Sequence, residues 1–329
     1  MGSVSRSTIR RTLTALVATA LLAAATAPAQ AAPPPPGSDT DPYNPGIIYR
    51  TVYSRPASAS VVEFSAACPV GYRPYGGGAQ ILGATNQVLI QRTEPVHNAT
   101  ESGFFVRAVE RSDLLYGYAG TWQLRVTVAC GPAYPDLTYV RATTVTSSTT
   151  TKAAIAQCPA GLTRVGMGAQ INTDTHAVRF DDVGFGIFNT PWASFPQIPN
   201  SARAIASELP LGTAATWSVS AVVVCATPPP SVVFHGEQHG YGNPVGPGGQ
   251  PVYADRIEWE PCGGWYEDNH SYMTGVGGGQ NGDPGEVGLQ WYFDADDKEI
   301  GVMELILDGG GYSGAWMGPY LSVICVTKA

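Results

Sequence analysis

Two histidines, His235 and His239, have the spacing at which an α-helix would direct both imidazoles toward one zinc ion. The metalloprotease pattern requires Glu immediately after the first histidine, but Gly236 stands there. The glycine and proline residues at 240–244 also disfavour a helix. We therefore expect no zinc site at these histidines, and we assign no metal and no cofactor to the chain.

Neighbouring carboxylates offer a second kind of chemistry, because glycoside hydrolysis needs one acid and one base or nucleophile a fixed distance apart. Asp181 is adjacent to Asp182, and Glu258 lies close to Glu260. Any acidic β protein contains such pairs, and the sequence does not give the separation of their carboxyl groups. We therefore assign no catalytic residue from the sequence.

The acidic run at residues 294–299 contains the oxygen ligands that Ca²⁺ prefers. An EF-hand would require a ligand where Lys298 stands and a closing Glu where Leu305 stands. We therefore interpret the run as a solvated acidic turn.

Aromatic and acidic residues concentrate toward the C-terminus. Residues 229–329 contain 14 acidic and 3 basic residues and four of the seven tryptophans. Sugar rings can stack their C–H faces on aromatic rings while their hydroxyls donate to carboxylates, and a cationic partner can bind by cation–π contact. Alternatively, these aromatic residues form the core of a segment poor in Leu and Ile. Our candidate ligand-binding residues are Trp265, Tyr266, Trp291, Tyr292, Asp294 and Asp296.

The N-terminus predicts export. A cationic head with Arg6, Arg10 and Arg11 precedes an apolar run, and residues 29–31 (Ala-Gln-Ala) form a cleavage site of small residues. We therefore predict a signal peptide over residues 1–31 and a secreted, extracellular product, with the export route left open. We expect no membrane attachment after cleavage, because no later apolar run approaches the length of a membrane span.

The composition limits the partner. Charged residues make up 13% of the 329 residues, and the formal net charge is -8. This negative balance argues against a nucleic-acid partner. A hydrophobic content of 44% is enough to bury a core. The partners that we expect are a polysaccharide or an extracellular protein.

One series of residues recurs at an offset of 90 positions. The stretch from Cys68 to Ile81 aligns without gaps with the stretch from Cys158 to Ile171, and each copy closes with a Trp eight residues before a second Cys. A diverged third copy runs from Cys262 through the glycines at 277–279 to Cys325. Three such series in one order indicate an internal repeat.

The repeat also selects one pairing among those that six cysteines allow, because only this pairing keeps each copy self-contained. Exported cysteines reach an oxidising space, where disulfides form. The predicted disulfides are Cys68–Cys130, Cys158–Cys225 and Cys262–Cys325.

The sequence predicts that β-strands position the candidate residues. Segment 122–130 alternates apolar and polar residues, segment 217–225 keeps the alternation, and both predict half-buried strands. No window predicts an amphipathic helix. A Gly-x-Gly within a strand marks a place where another backbone or a ring packs closely. The recurring glutamines are interpreted as structural hydrogen-bonding residues at equivalent sites: Gln80, Gln170 and Gln280.

These patterns predict an all-β protein of three tandem antiparallel β units, a pseudo-threefold repeat in which one disulfide clamps each unit. The predicted order is a signal peptide (1–31), a Pro-rich linker (32–45), unit one (46–135), unit two (136–228) and a diverged, acidic, Trp-rich unit three (229–329).

The series Cys-Pro-x-Gly, Gly-x-Gly-Ala, Trp and Cys resembles the repeated β modules of secreted actinobacterial proteins of unassigned role. The resemblance covers units one and two well and unit three loosely, and it implies extracellular β modules without an activity. The threefold repetition also resembles β-prism proteins, such as the vitelline membrane outer layer protein and certain lectins, although the units here are long for that fold.

We therefore predict a secreted, non-enzymatic binding or surface-associated protein that recognises carbohydrate or a cationic partner through unit three. One alternative is an extracellular hydrolase whose carboxylates, such as Asp294 and Asp296, lie in that unit. Another is a protein-binding or protease-inhibitor protein that presents an exposed loop such as residues 240–249.

Overall fold

Every regular element that the computed structural model describes is a β-strand. The strands pair antiparallel wherever they meet. The prediction of an all-β, antiparallel protein is therefore confirmed. The residues that the structure describes are 45–84, 87–112, 118–185, 200–240, 256–261, 271–280, 287–293, 300–307 and 319–328.

Each predicted unit contributes strands in the same order along the chain. Unit one contains β1 (Ile48–Tyr53), β2 (Val61–Ala67), β3 (Tyr72–Leu82), β4 (Val88–His97), β5 (Ser102–Glu110) and β6 (Gln123–Pro132). Unit two contains β7 (Thr138–Thr143), β8 (Thr151–Gln157), β9 (Thr163–Asn172), β10 (Val178–Gly184), β11 (Ser201–Glu208) and β12 (Ser218–Ala226). The described part of unit three contains β13 (Val232–Gly240), β14 (Arg256–Pro261), β15 (Ser271–Gln280), β16 (Val287–Phe293), β17 (Ile300–Leu307) and β18 (Pro319–Lys328).

The strands form three sheets, and each sheet joins strands of two predicted units. The strand orders are β1-β6-β3-β16-β17-β14, β7-β12-β9-β4-β5-β2 and β13-β18-β15-β10-β11-β8. A shift of six strands along the chain, from the last strand back to the first, converts one order into the next. The topology therefore repeats among the described strands, while the descent of three copies from one module stays a prediction.

Each sheet consists of two halves that meet at a short junction. Strand β4 pairs with β9 through Arg92 opposite Gln170 and Thr93 opposite Ala169. Strand β10 meets β15 through two residue pairs, and β16 meets β3 through Trp291 opposite Ala79. Such short ladders contain few backbone hydrogen bonds, so side chains and close packing must hold the halves together.

The glycines of the repeated motif allow strands of different units to cross closely. A Cβ atom at Gly76 of β3 would lie 2.5 Å from the carbonyl oxygen of Thr274 on β15. A Cβ atom at Gly166 of β9 would overlap the carbonyl oxygen of Tyr75 on β3. The predicted close backbone approach is therefore confirmed, and it explains why these positions have no side chain.

Two tyrosines at the repeat spacing link different units. The Tyr49 hydroxyl donates to the carbonyl oxygen of Met273 at 2.6 Å, and the Tyr139 hydroxyl donates to that of Pro74 at 3.0 Å. Both acceptors lie where the pairing register of their strand shifts, after Met273 on β15 and after Pro74 on β3. A bulge leaves backbone groups out of the ladder, so these carbonyls are available to the hydroxyls.

Disulfides clamp the predicted units as the repeat implied. Cys68 bonds to Cys130, and Cys158 bonds to Cys225, so these two predictions are confirmed. Cys325 is also disulfide-bonded. Its predicted partner, Cys262, lies outside the described residues, so that pairing stays a prediction.

The closing strands are more deeply buried than their alternation predicted. On β6 the apolar face is buried as expected, but Arg125, Thr127 and Ala129 on the opposite face are buried too. Every residue of β12 is buried. The prediction of half-buried strands was therefore wrong for this second face. Both strands have a neighbour on each side, and long side chains cover the outer face, as when Arg125 donates to Gln80 at 3.1 Å.

One hydrophobic core contains residues of all three sheets, such as Val128 of β6, Val223 of β12 and Val323 of β18. The strands of the three predicted units belong to one compact unit, Asp39–Ala329. Within the described ranges, no helix is long and apolar enough to cross a membrane.

Candidate functional site

The candidate ligand residues of unit three fall mostly outside the described residues. This holds for Trp265, Tyr266, Asp294 and Asp296. Tyr292 lies on β16, but its side chain is outside the description. The role of these five residues as ligand contacts therefore stays a prediction.

Trp291 is described, and it lies in the core. Its side chain is 1% exposed, and its ring centroid lies 5.9 Å from that of Phe180 on β10. Trp291 also stands opposite Ala79 at the junction between β16 and β3. A ring buried in this way presents no face to solvent, so the predicted stacking of a ligand on Trp291 does not fit this position.

The adjacent carboxylates Asp181 and Asp182 lie at a register shift of β10, next to its junction with β15. The Ser207 hydroxyl donates to Asp181, and the Arg179 Nε atom lies 3.6 Å from the other oxygen of this carboxyl group. Burial raises the pKa of Asp181 to about 6, although Arg179 and the Ser207 hydrogen bond favour its charged form.

Asp182 pairs with a different partner. The guanidinium of Arg203 on β11 contacts one carboxylate oxygen of Asp182 through both Nε and Nη2. The side chains of Asp182 and Arg203 are 4% and 10% exposed, so water screens this ion pair little. Glycoside hydrolysis requires two carboxyl groups that both reach the substrate. Here, however, both carboxylates are buried in contacts between β10 and β11.

A second buried ion cluster, which the sequence analysis did not identify, lies at the junction of β4 and β9. Glu94 is fully buried, and it receives a hydrogen bond at 2.7 Å from the Arg92 Nε atom and another from Arg141 on β7. The Arg92 guanidinium also lies over the ring of Phe105 at 5.1 Å. The cluster therefore connects strands of units one and two. Nothing in the sequence pattern of β4 alone indicates that Glu94 reaches β7.

The outer face of this sheet also contains one of the recurring glutamines. Gln170 on β9 accepts a hydrogen bond from Arg141 at 3.2 Å, as Gln80 does from Arg125. The structural role predicted for these two glutamines is confirmed, whereas the side chain of Gln280 is outside the description.

A buried lysine joins the sheet edges of unit two. Lys152 on β8 is 5% exposed, and its ammonium donates to the carbonyl oxygens of Trp217 and Ser147 at 2.6 and 3.0 Å and to the Ser147 hydroxyl at 2.7 Å. It also lies 4.8 Å from the centre of the Trp217 ring. One signal was present in the sequence, since Lys152 alternates in phase with the buried Ala154 and Ala156.

The two histidines considered for zinc lie on strand β13. In a strand, residues four apart are separated by about 13 Å, so the helical arrangement that brings both imidazoles to one metal is not formed. Elsewhere, Glu258 and Glu260 lie on β14, and their side chains are outside the description. No group of three or more His, Cys, Asp or Glu in the described ranges is arranged to hold a metal ion.

The described chemistry is therefore that of a framework. Buried ion pairs and a buried ammonium connect strands, and Asp181 and Asp182 take part in these contacts. In comparisons with known proteins, no protein-family model matches the chain, and no curated protein matches it.

Proposed function

We propose that this chain is a secreted, non-enzymatic binding protein that holds a polysaccharide through unit three (229–329). The interleaved strands of the three units supply the rigid framework, and the acidic, aromatic residues of unit three supply the ligand contacts. The observation that carries the proposal is the different use of charged residues in units one and two and in unit three.

In the framework, charged side chains hold strands together. Glu94 is fully buried between two arginines, and Asp181 and Asp182 are buried beside Arg179 and Arg203. Removing one partner of a buried ion pair is strongly destabilising, so these carboxylates are unsuited to exchanging their partners for a ligand. Two disulfides add to the rigidity.

Unit three contains 14 acidic residues and only 3 basic ones. Most of its carboxylates therefore have no basic residue of the same unit with which to pair. Four of the seven tryptophans lie in the same segment. Flat aromatic faces stack on the C–H faces of sugars, and carboxylates accept hydrogen bonds from sugar hydroxyls. We place the contacts at Trp265, Tyr266, Tyr292, Asp294 and Asp296, and we remove Trp291 from the set because its ring is buried.

The test is retention of the full exported chain on a panel of insoluble polysaccharides. We expect the wild type to be retained on at least one of them, and we expect Trp265→Ala and the double variant Asp294→Asn, Asp296→Asn to be released. The matched control is Tyr53→Ala, which removes an aromatic side chain that is 55% exposed from the framework and leaves retention unchanged.

Unchanged retention of both unit-three variants would remove these residues from the proposal, and a wild type that binds no polysaccharide would refute it. Release of soluble sugar from a retained polysaccharide would instead indicate the hydrolase alternative. A monodisperse complex with a secreted protease, detected by size-exclusion chromatography, would indicate the inhibitor alternative.

A further inference from the structure

The connection between β7 and β8 is unusually rich in hydroxyl groups. Residues 144–150 read Thr-Val-Thr-Ser-Ser-Thr-Thr, and a further Thr stands on each side of them. Most of these residues are exposed, and the one apolar member, Val145, is 83% exposed. Neither core packing nor a strand ladder therefore explains the composition of the connection.

The hydroxyls fall into two groups. Some are hydrogen-bonded: Thr143 bonds to Ser220, Thr144 accepts from the Val219 backbone, Ser147 accepts from Lys152 and bonds to Thr149, and Thr151 bonds to Ser207. The second group consists of Thr146, Ser148 and Thr150. They are exposed, and their hydroxyls make no hydrogen bond to the described part of the chain.

The backbone under this second group is held in place. Ser147 and Trp217 exchange two backbone hydrogen bonds, at 3.1 and 2.9 Å, and Lys152 donates to the carbonyl oxygens of Val145 and Ser147. Val145 and Ser147 are anchored through their backbone carbonyls, and the hydroxyl residues Thr146 and Ser148 beside them are exposed. Accessible hydroxyls therefore lie on a segment whose backbone is fixed.

The equivalent connection in unit one shows that the fold does not require a hydroxyl at position 146. Ala57 pairs with Trp122 there, as Ser147 pairs with Trp217. At the repeat spacing of 90, Thr146 corresponds to Pro56, whereas Ser148 and Thr150 correspond to Ser58 and Ser60. The same bridge therefore forms without a hydroxyl at the position of Thr146.

We propose that Thr146, Ser148 and Thr150 are acceptors for O-linked glycosylation during export. In this reaction the hydroxyl oxygen attacks the anomeric carbon of a sugar carried on a lipid phosphate. A new carbon–oxygen bond forms, the bond from that carbon to the phosphate oxygen breaks, and the lipid phosphate leaves. A base of the transferase takes the hydroxyl proton. The inference rests on the export part of the proposed function and not on polysaccharide binding.

The arrangement favours a sugar over a phosphate at these positions. A phosphate is stabilised by a nearby available cation, but the ammonium of Lys152 is buried and already donates to backbone carbonyls. A neutral sugar needs no cation and only an accessible hydroxyl. The exposed hydroxyls of this connection provide one.

The test is mass spectrometry of the protein recovered from the medium of the organism that produces it. Cleavage after Arg141 and Lys152 releases one peptide, 142–152, that contains the whole connection. We expect this peptide to be heavier than its sequence by whole hexose residues. Alkaline β-elimination should release the sugar and leave each modified residue lighter than Ser or Thr by one water. The triple variant Thr146→Ala, Ser148→Ala, Thr150→Ala should lose the added mass.

The matched control is Thr144→Ala, Thr151→Ala, which removes two engaged hydroxyls from the same peptide and should keep the added mass. A secreted wild type whose peptide has the unmodified mass, or carries phosphate, would overturn the inference. Added mass that persists in the triple variant would overturn the assignment as well. A glycosylated chain that binds no polysaccharide would refute the proposed function alone.

Discussion

Replacing Asp181 by Asn removes a buried titratable group from the contact between β10 and β11 while keeping its shape. In the folded chain, burial raises the pKa of Asp181 from the ordinary 3.8 to about 6, against the attraction of Arg179. At roughly 1.4 kcal/mol per pKa unit, the difference corresponds to about 3 kcal/mol of stability.

The sign follows from which state binds the proton more tightly. The folded state has the higher pKa, so this contribution to the free energy of unfolding is complete only below the unfolded pKa and is lost as the pH rises through 6. Integration of the two titrations places about 2 kcal/mol of the loss between pH 4 and pH 7.

We expect Asp181→Asn to reduce the fall in stability between these two pH values by about 2 kcal/mol relative to the wild type. Denaturant unfolding of the full chain, followed by tryptophan fluorescence at constant ionic strength, measures the difference. The control is Asp174→Asn, which removes an exposed carboxylate. Equal pH dependence in Asp181→Asn and the wild type would refute the reasoning.

Three further variants test how the units are joined. Gly166→Ala forces a Cβ atom into the backbone of β3 and should lower stability by about 3 kcal/mol. The control Gly161→Ala, at φ +86 with nothing within 4 Å, should cost about 1 kcal/mol. A similar cost for both would contradict the close crossing. Tyr139→Phe removes the hydroxyl that donates to β3 and should cost about 1 kcal/mol in denaturant unfolding, whereas the exposed Tyr53→Phe should cost nothing measurable. Glu94→Gln should lower the stability by about 1 kcal/mol, and the thermal midpoint with it, because the buried amide keeps only part of the hydrogen bonding while water compensates the two arginines, which are 26% and 41% exposed. An unchanged midpoint would show that this cluster does not hold the junction.

Sequence patterns confined to one segment correctly predicted features of that segment. The repeat identified two disulfides, because a pairing inside each copy was the only self-contained choice. The alternation from Trp122 to Cys130 identified a strand with a buried face. The glycines indicated close crossing before the crossing partner was known.

Features that depend on contacts between segments were beyond the sequence. Alternation of apolar and polar residues distinguishes the two faces of a strand, but it does not show which strand of another unit lies beside it. The pairing of β4 with β9 was therefore not predicted. For the same reason the sequence left two roles open for Trp291, a ligand contact or a core position, and the structure places it at the junction with β3. Asp181 and Asp182 were one of several carboxylate pairs in the sequence, and only the structure shows that they contact Arg179 on the same strand and Arg203 on β11.

The division between a framework and a binding segment can be measured directly by hydrogen–deuterium exchange. The full chain would be compared with and without a soluble fragment of the polysaccharide that retains it. We predict that the fragment slows exchange in peptides covering 262–270 and 294–299 and leaves those of 45–228 unchanged. Slowed exchange confined to 45–228 would contradict the account.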